Sequence, residues 1–152
     1  SIRRQRQMCI RDREIAAVDT PRRAMGHLLG NAVRIAPADQ TLVLGEGIET
    51  MLSVREAAPS LPVWAALSSG HLGAVLLPVG LQRLYIAIDR DPAGQRAAER
   101  LTARATEAGI AVRVLEPRLG DFNDDLRAHG AEALRQHLAQ QIDLEDQHRL
   151  TI

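Results

Sequence analysis

Three groups of acidic residues are spaced along the chain, and each follows a short apolar run. Glu46 comes after Leu42-Val43-Leu44-Gly45, Asp89 and Asp91 after Tyr85-Ile86-Ala87-Ile88, and Asp121, Asn123, Asp124 and Asp125 a few residues after Val112-Arg113-Val114-Leu115. Gathering so many carboxylates in one place is costly in repulsion and desolvation unless a cation neutralises them. Mg²⁺ suits such a set, with Mn²⁺ as the alternative ion: it takes oxygen ligands, keeps waters and substrate phosphates in its shell, and needs neither cysteine nor histidine. Each group also has an ordinary explanation. Glu-Gly after a strand is a turn, Asp-x-Asp before proline is a helix cap, and Asp121 can cap a helix starting at Phe122. Capping does not, however, require acids after successive strands, and the combination points to one site for phosphate chemistry.

Composition removes several other chemistries. All 19 basic residues are arginine, so Schiff-base catalysis and a phosphate-loop lysine are both excluded. The single cysteine, Cys9, excludes an intrachain disulfide framework and a multi-cysteine zinc site. Trp64, Tyr85 and Phe122 are the whole aromatic set, too little for a base-stacking platform. No apolar run approaches the roughly 20 residues of a membrane helix, and no signal-peptide pattern opens the chain, so a cytoplasmic protein with no membrane partner is expected.

Residues 1–13 carry five arginines and one acid without periodicity. Met8-Cys9-Ile10-Arg11-Asp12 can be back-translated as ATG TGT ATA AGA GAC, which resembles the end of a transposon-based sequencing adapter read in one frame. The segment is therefore read as non-native rather than as a basic nucleic-acid-binding arm. From Glu14 onward the balance is 14 basic against 18 acidic residues, net −4, so bulk charge does not grip a phosphate backbone.

The elements that must position the acids alternate strand and helix. Apolar, β-branched runs at 41–45, 62–67, 83–88 and 110–115 read as strands. Amphipathic stretches at 48–58, 71–77, 92–108, 121–128 and 131–141 read as helices, with Gly109 as a C-terminal cap and Gly130 separating the last two. Residues 31–35 are a candidate extra strand within an approach segment at 14–40, and the end of the chain, past 141, is expected to fray. The pattern is α/β, about four parallel strands between helices. In such a sheet ligands bind beyond the carboxyl ends of the strands, where all three acidic groups fall. Backbone N–H groups at Gly47, Ser69, Gly70 and Gly94 are further candidates for phosphate contact at helix starts. Arg90 is another, with an ion pair to the neighbouring acids as its plainer role.

These residues resemble the Toprim domain of topoisomerases and bacterial-type primases over about residues 41–126. The strand ending in Glu46-Gly47 and the run Ile86-Ala87-Ile88-Asp89-Arg90-Asp91-Pro92-Ala93-Gly94 are similar to its two main motifs. Glu46-Gly47-Ile48-Glu49-Thr50 and Asp121-Phe122-Asn123-Asp124 resemble the subgroup in plasmid, phage and mobile-element primases and primase-helicases. Gly120 stands where that subgroup commonly carries a lysine.

The resemblance implies a Toprim (Rossmann-like) catalytic domain at 41–128, followed by a C-terminal helix and tail at 129–152. It implies Mg²⁺-dependent nucleotidyl transfer, making RNA primers from nucleotides on a single-stranded DNA template. Asp89 and Asp91 would hold the metal, with Asp121 and Asp124 as outer ligands. Glu46 would take a proton from a 3′-hydroxyl or hold a second metal, two roles the sequence leaves open. A helicase motor or zinc-binding domain would lie elsewhere in the parent protein. The rivals are a metal-dependent nuclease and a non-catalytic interaction module, the latter disfavoured because a scaffold has no need of mutually repelling charges. Topoisomerase chemistry is disfavoured because Tyr85, the only tyrosine, sits inside a strand.

Overall fold

In the computed structural model, which describes residues 29–151, the runs with no polar interruption become the buried middle of a sheet. The strands are β1 (Val33–Arg34), β2 (Thr41–Gly45), β3 (Val63–Ala65), β4 (Arg83–Ala87) and β5 (Ala111–Leu115). Between and after them come α1 (Ile48–Ala57), α2 (Ser69–Ala74), α3 (Pro92–Glu107) and α4 (Phe122–Ala139), then a terminal 3₁₀ helix (Leu144–Leu150). The order across the sheet is β1-β3-β2-β4-β5. β2, β3, β4 and β5 are parallel neighbours, and β1 pairs antiparallel with β3. The expected four-stranded parallel sheet is thus the larger part of a five-stranded mixed one.

Alternation along the strands assigns the two faces. Val43, Tyr85, Ala87 and Leu115 face the layer containing α1 and α4, where Met51, Val54, Phe122, Leu134 and Leu138 complete one core. Leu42, Leu44, Leu84 and Ile86 face the layer of α2 and α3, packing on Leu72, Ala97, Leu101 and Ala105. Burial on both sides is why β2 reads as an unbroken apolar run. Its last residue must be small: a Cβ on Gly45 would lie 2.3 Å from Met51 Sδ and 3.0 Å from the Ala87 carbonyl.

Several boundaries differ from the sequence expectation for local reasons. β3 stops at Ala65 because Leu67 adopts a left-handed conformation (φ 78°), and the Ala66 and Leu67 amides turn to the Gly45 and Glu46 carbonyls at 2.8 and 2.7 Å. α2 begins earlier than expected, capped by Ser68, whose Oγ accepts from the His71 amide at 3.1 Å. α4 breaks at Gly130 (φ 84°), as its sequence foretold.

The larger correction concerns the tail, which does not fray. Ile142, Asp146 and Leu150 are buried as it folds against the amino ends of β2 and β4. The fully buried Asp146 accepts from Arg83 Nε at 2.7 Å, Tyr85 OH at 2.8 Å, Thr41 Oγ1 at 3.0 Å and Arg149 Nε at 3.1 Å. Among the described residues no helix is long and apolar enough to cross a membrane. Residues 1–13, read as adapter-derived, lie outside the described part, as does the approach segment up to residue 28.

Candidate metal centre

Strand register brings the acids together. Gly45 on β2 sits opposite Ala87 on β4, so Glu46 leaves the sheet beside Ile88 and Asp89 follows one residue later. An extended strand would then send Asp89 and Asp91 the same way only by running on past the helices. Here the chain folds back instead, with the Asp91 amide donating to the Asp89 carbonyl at 2.8 Å and Pro92 opening α3. As a result, oxygens of Glu46, Asp89 and Asp91 all lie within 4.8 Å of one another. Among the described residues this is the one group of three potential metal-ligating side chains so close together.

The electrostatics at Asp89 are those of a carboxyl half-buried among like charges. The Asp89 carboxyl is pushed up to about 6, first by burial and then by the like charges of Asp121, Glu46 and Asp91. A long hydrogen bond from Thr50 Oγ1, at 3.5 Å, opposes the shift only weakly. Asp91 is also a helix cap, its Oδ1 accepting from the Gly94 amide at 2.7 Å. Gly94 is glycine for space, since a Cβ there would lie 3.1 Å from the Asp89 carbonyl. Its N–H is thus engaged by Asp91, not left for a phosphate.

The third acidic group divides its labour. Asp121 caps α4, its Oδ1 accepting from the Asp124 amide at 2.7 Å, and its charge is felt at Asp89, although it lies outside the tight cluster. Asp124 is also outside the cluster, and its Oδ2 fills the space beside Gly120: a Cβ there would lie 2.9 Å away. Asp125, grouped with the others in the sequence, is buried and structural, accepting from the Arg118 and Leu119 amides at 2.7 and 2.8 Å. Asn123 Oδ1 accepts from Ser53 Oγ at 3.3 Å, tying α4 to α1.

The remaining candidates are dispersed. Gly47 is the N-cap of α1 and provides no side-chain cap. Ser69 and Gly70 form the first turn of α2, whose cap is supplied by Ser68. Arg90 donates its backbone N–H to the Gly120 carbonyl at 2.8 Å, joining the loops after β4 and β5. Its side chain makes no ion pair among the described residues, contrary to its plainer expected role.

Comparison with known proteins fits this geometry. The family model of the Toprim domain matches residues 41–132. The chain is similar to the primase fragment of the bacteriophage T7 primase-helicase protein, with 22% identity and a TM-score of 0.51, covering 66% of this chain and 43% of that one. It is also similar to the Aquifex aeolicus primase (zinc-binding and RNA polymerase domains), with 24% identity and a TM-score of 0.48, covering 69% of this chain and 27% of that one. It therefore spans less than half the length of either solved structure. No curated protein matches the sequence.

Proposed function

The chain belongs to the Toprim domain family, and on that premise we propose that it is the catalytic module of a primase, joining nucleotides into a short RNA primer on single-stranded DNA. The observation that carries this reading is the meeting of Glu46, Asp89 and Asp91 at the carboxyl end of parallel strands. The donor set fits a hard divalent cation: it is all oxygen, and Asp89, pushed up to about 6 first by burial and then by the neighbouring carboxylates, sits among like charges that a cation would offset. Mg²⁺ or Mn²⁺, when bound by Asp89 and Asp91, supplies positive charge against phosphate oxygens.

The chain's own residues do the rest. Glu46, on the neighbouring strand, accepts the proton of an attacking 3′-hydroxyl or joins in holding the ion. Asp121 adds negative charge beside Asp89, and Asp124 lies in the first turn of α4 that Asp121 caps. Backbone groups near Gly47, Ser69 and Gly70 are secondary phosphate contacts. A zinc-binding domain or helicase motor elsewhere in the parent protein would engage the template, since this mildly acidic domain has no bulk charge to do so. A plasmid or phage origin and a cytoplasmic location belong to the same reading.

The test is to supply the parent protein with single-stranded DNA, ribonucleotides and Mg²⁺. Short oligoribonucleotides should form and should vanish with Asp89→Asn. Shortening of end-labelled DNA in the absence of nucleotides would identify a nuclease instead. Neither activity, with a partner protein still bound, would identify a non-catalytic module.

A further inference from the structure

We infer that β5 is an assembly edge, pairing antiparallel with β5 of a second copy of this chain across a two-fold axis at Arg113. The strand's own hydrogen bonds set its two sides. The Ala111 amide donates to the Gln82 carbonyl at 2.9 Å and the Leu115 carbonyl accepts from the Ile88 amide at 3.1 Å, so residues 111, 113 and 115 are the ones bonded to β4. The N–H and C=O of Val112 and Val114 therefore point away from β4, and β5 has no neighbour on that side. Just past the strand the edge is closed, since the Glu116 amide donates to Gln141 Oε1 at 2.8 Å and its carbonyl accepts from Gln141 Nε2 at 3.0 Å. That closure stops short of Val112 and Val114.

The usual defences of a sheet edge are missing here. The opposite edge, β1, is protected by being two residues long, whereas β5 has five. A charged side chain also discourages pairing, but Arg113 is neutralised in place by Asp143 at 2.5 Å. In a parallel sheet both faces are normally covered, as all of β2 is; in β5, Ala111, Arg113 and Val114 are exposed and Val112 is half-buried. A cleft of about 590 Å³ lies beside the strand, lined by Ala111, Arg113, Asp143 and Leu144, so that flank is open among the described residues. A second copy fits because a two-fold interface must be self-complementary. Centring the pair on Arg113 sets Val112 against Val114 of the second copy and Val114 against its Val112, which satisfies every outward group of both strands and matches β-branched side chains. On the other face the two Arg113 side chains meet. Alone they would repel, but each brings its Asp143, so opposite charges alternate about the axis and each guanidinium gains a second carboxylate.

The experiment is sedimentation equilibrium of the whole chain in reducing buffer, where Cys9 cannot cross-link copies. A short strand pair makes a small interface, so the series runs from about 1 μM to about 1 mM. The average mass should rise from one chain toward two across it. Val112→Pro removes an outward N–H without taking a bond from β4, and Val114→Lys places a charge on the edge at a position already 38% exposed. Each should hold the mass at one chain throughout, while a cooperative thermal transition shows that the variant is folded. Val114→Lys carries the test by itself if Val112→Pro does not fold. Val33→Lys, an equally exposed valine on β1, should associate as wild type does. A wild-type chain that stays monomeric at the highest concentration would overturn the inference. So would association that persists in the folded β5 variants, or that Val33→Lys abolishes equally, since either result places the contact elsewhere.

Discussion

Asp89 is half-buried among like charges in the candidate site, and its behaviour in the metal-free chain follows from that. Its pKa is raised in the folded state to about 6, so the folded chain holds a proton that the unfolded chain has already released. Stability contributed by that proton is fully present below the ordinary value near 3.8 and is lost as pH rises through 6. In EDTA at pH 7.5, Asp89→Asn should therefore stabilise the domain, by about 1–2 kcal/mol once solvent screening is allowed for. Chemical denaturation at pH 4 and pH 7.5 checks this: the gain should be present at the higher pH and nearly absent at the lower. Glu46 separates into base or ligand by a different comparison. If it is the base, Glu46→Gln should abolish primer synthesis by the parent protein while leaving Mg²⁺ binding near that of wild type; loss of Mg²⁺ binding equal to that of Asp89→Asn would make it a ligand. At this scale the sequence was informative about Glu46, Asp89 and Asp91, because their strand-end positions are set by neighbouring residues. It was uninformative about Asp125, whose partners are backbone amides with no sequence signature.

The elements show the same contrast between local and distant information. α3 was legible because proline at its start, an aspartate cap and a buried stripe of Ala97, Ala98, Leu101 and Ala105 are all local signals. The terminal 3₁₀ helix was not, since its anchor Asp146 finds Arg83, Tyr85 and Thr41 at sequence separations of 63, 61 and 105 residues. Hydrogen bonds from those three groups hold the Asp146 carboxyl down at about 2 against the opposing effect of burial. The sign here is the reverse of Asp89: the stabilisation is present above the ordinary value near 3.8 and is lost as pH falls toward 2. Asp146→Ala should cost about 3–5 kcal/mol at pH 7, because Arg83 and Arg149 lose a buried partner. Its acid sensitivity should be correspondingly smaller than that of the wild type. Ending the chain at residue 132, the limit of the family match, should be still more damaging, since Leu134, Leu138, Ile142 and Leu150 belong to the core. A separate element-level test is Gly45→Ala. A methyl group there forces the Met51 thioether aside and presses on the Ala87 carbonyl oxygen at 3.0 Å, at about 1–3 kcal/mol.

Across the whole molecule, the two ends of the parallel sheet do opposite things with charge. At the carboxyl ends, the Glu46, Asp89 and Asp91 carboxylates crowd within 4.8 Å of one another. At the amino ends, Arg83, Arg113 and Arg149 are paired with Asp146, Glu145, Asp143 and Asp39. β4 runs between them, with Arg83 and Tyr85 at its lower part and Asp89 just past its top, a span of about 20 Å at the rise of an extended chain. No residue is shared between the Asp146 network and the Glu46, Asp89 and Asp91 cluster. Mutations at the two ends should therefore act independently. If the cluster holds Mg²⁺ only in the folded state, a concentration 100 times the dissociation constant should add about 2.7 kcal/mol of stability. Asp89→Asn with Asp91→Asn should abolish that increment. Asp146→Asn should lower the baseline but keep the increment whole, and the three-site variant should equal the sum of its parts to within about 0.5 kcal/mol. Denaturant titrations with and without Mg²⁺ measure all four quantities. A loss of the Mg²⁺ increment in Asp146→Asn would mean that the strap at the amino edge reaches through β4 to set the geometry of the acids, and the division of the sheet into a stabilising end and a working end would fall.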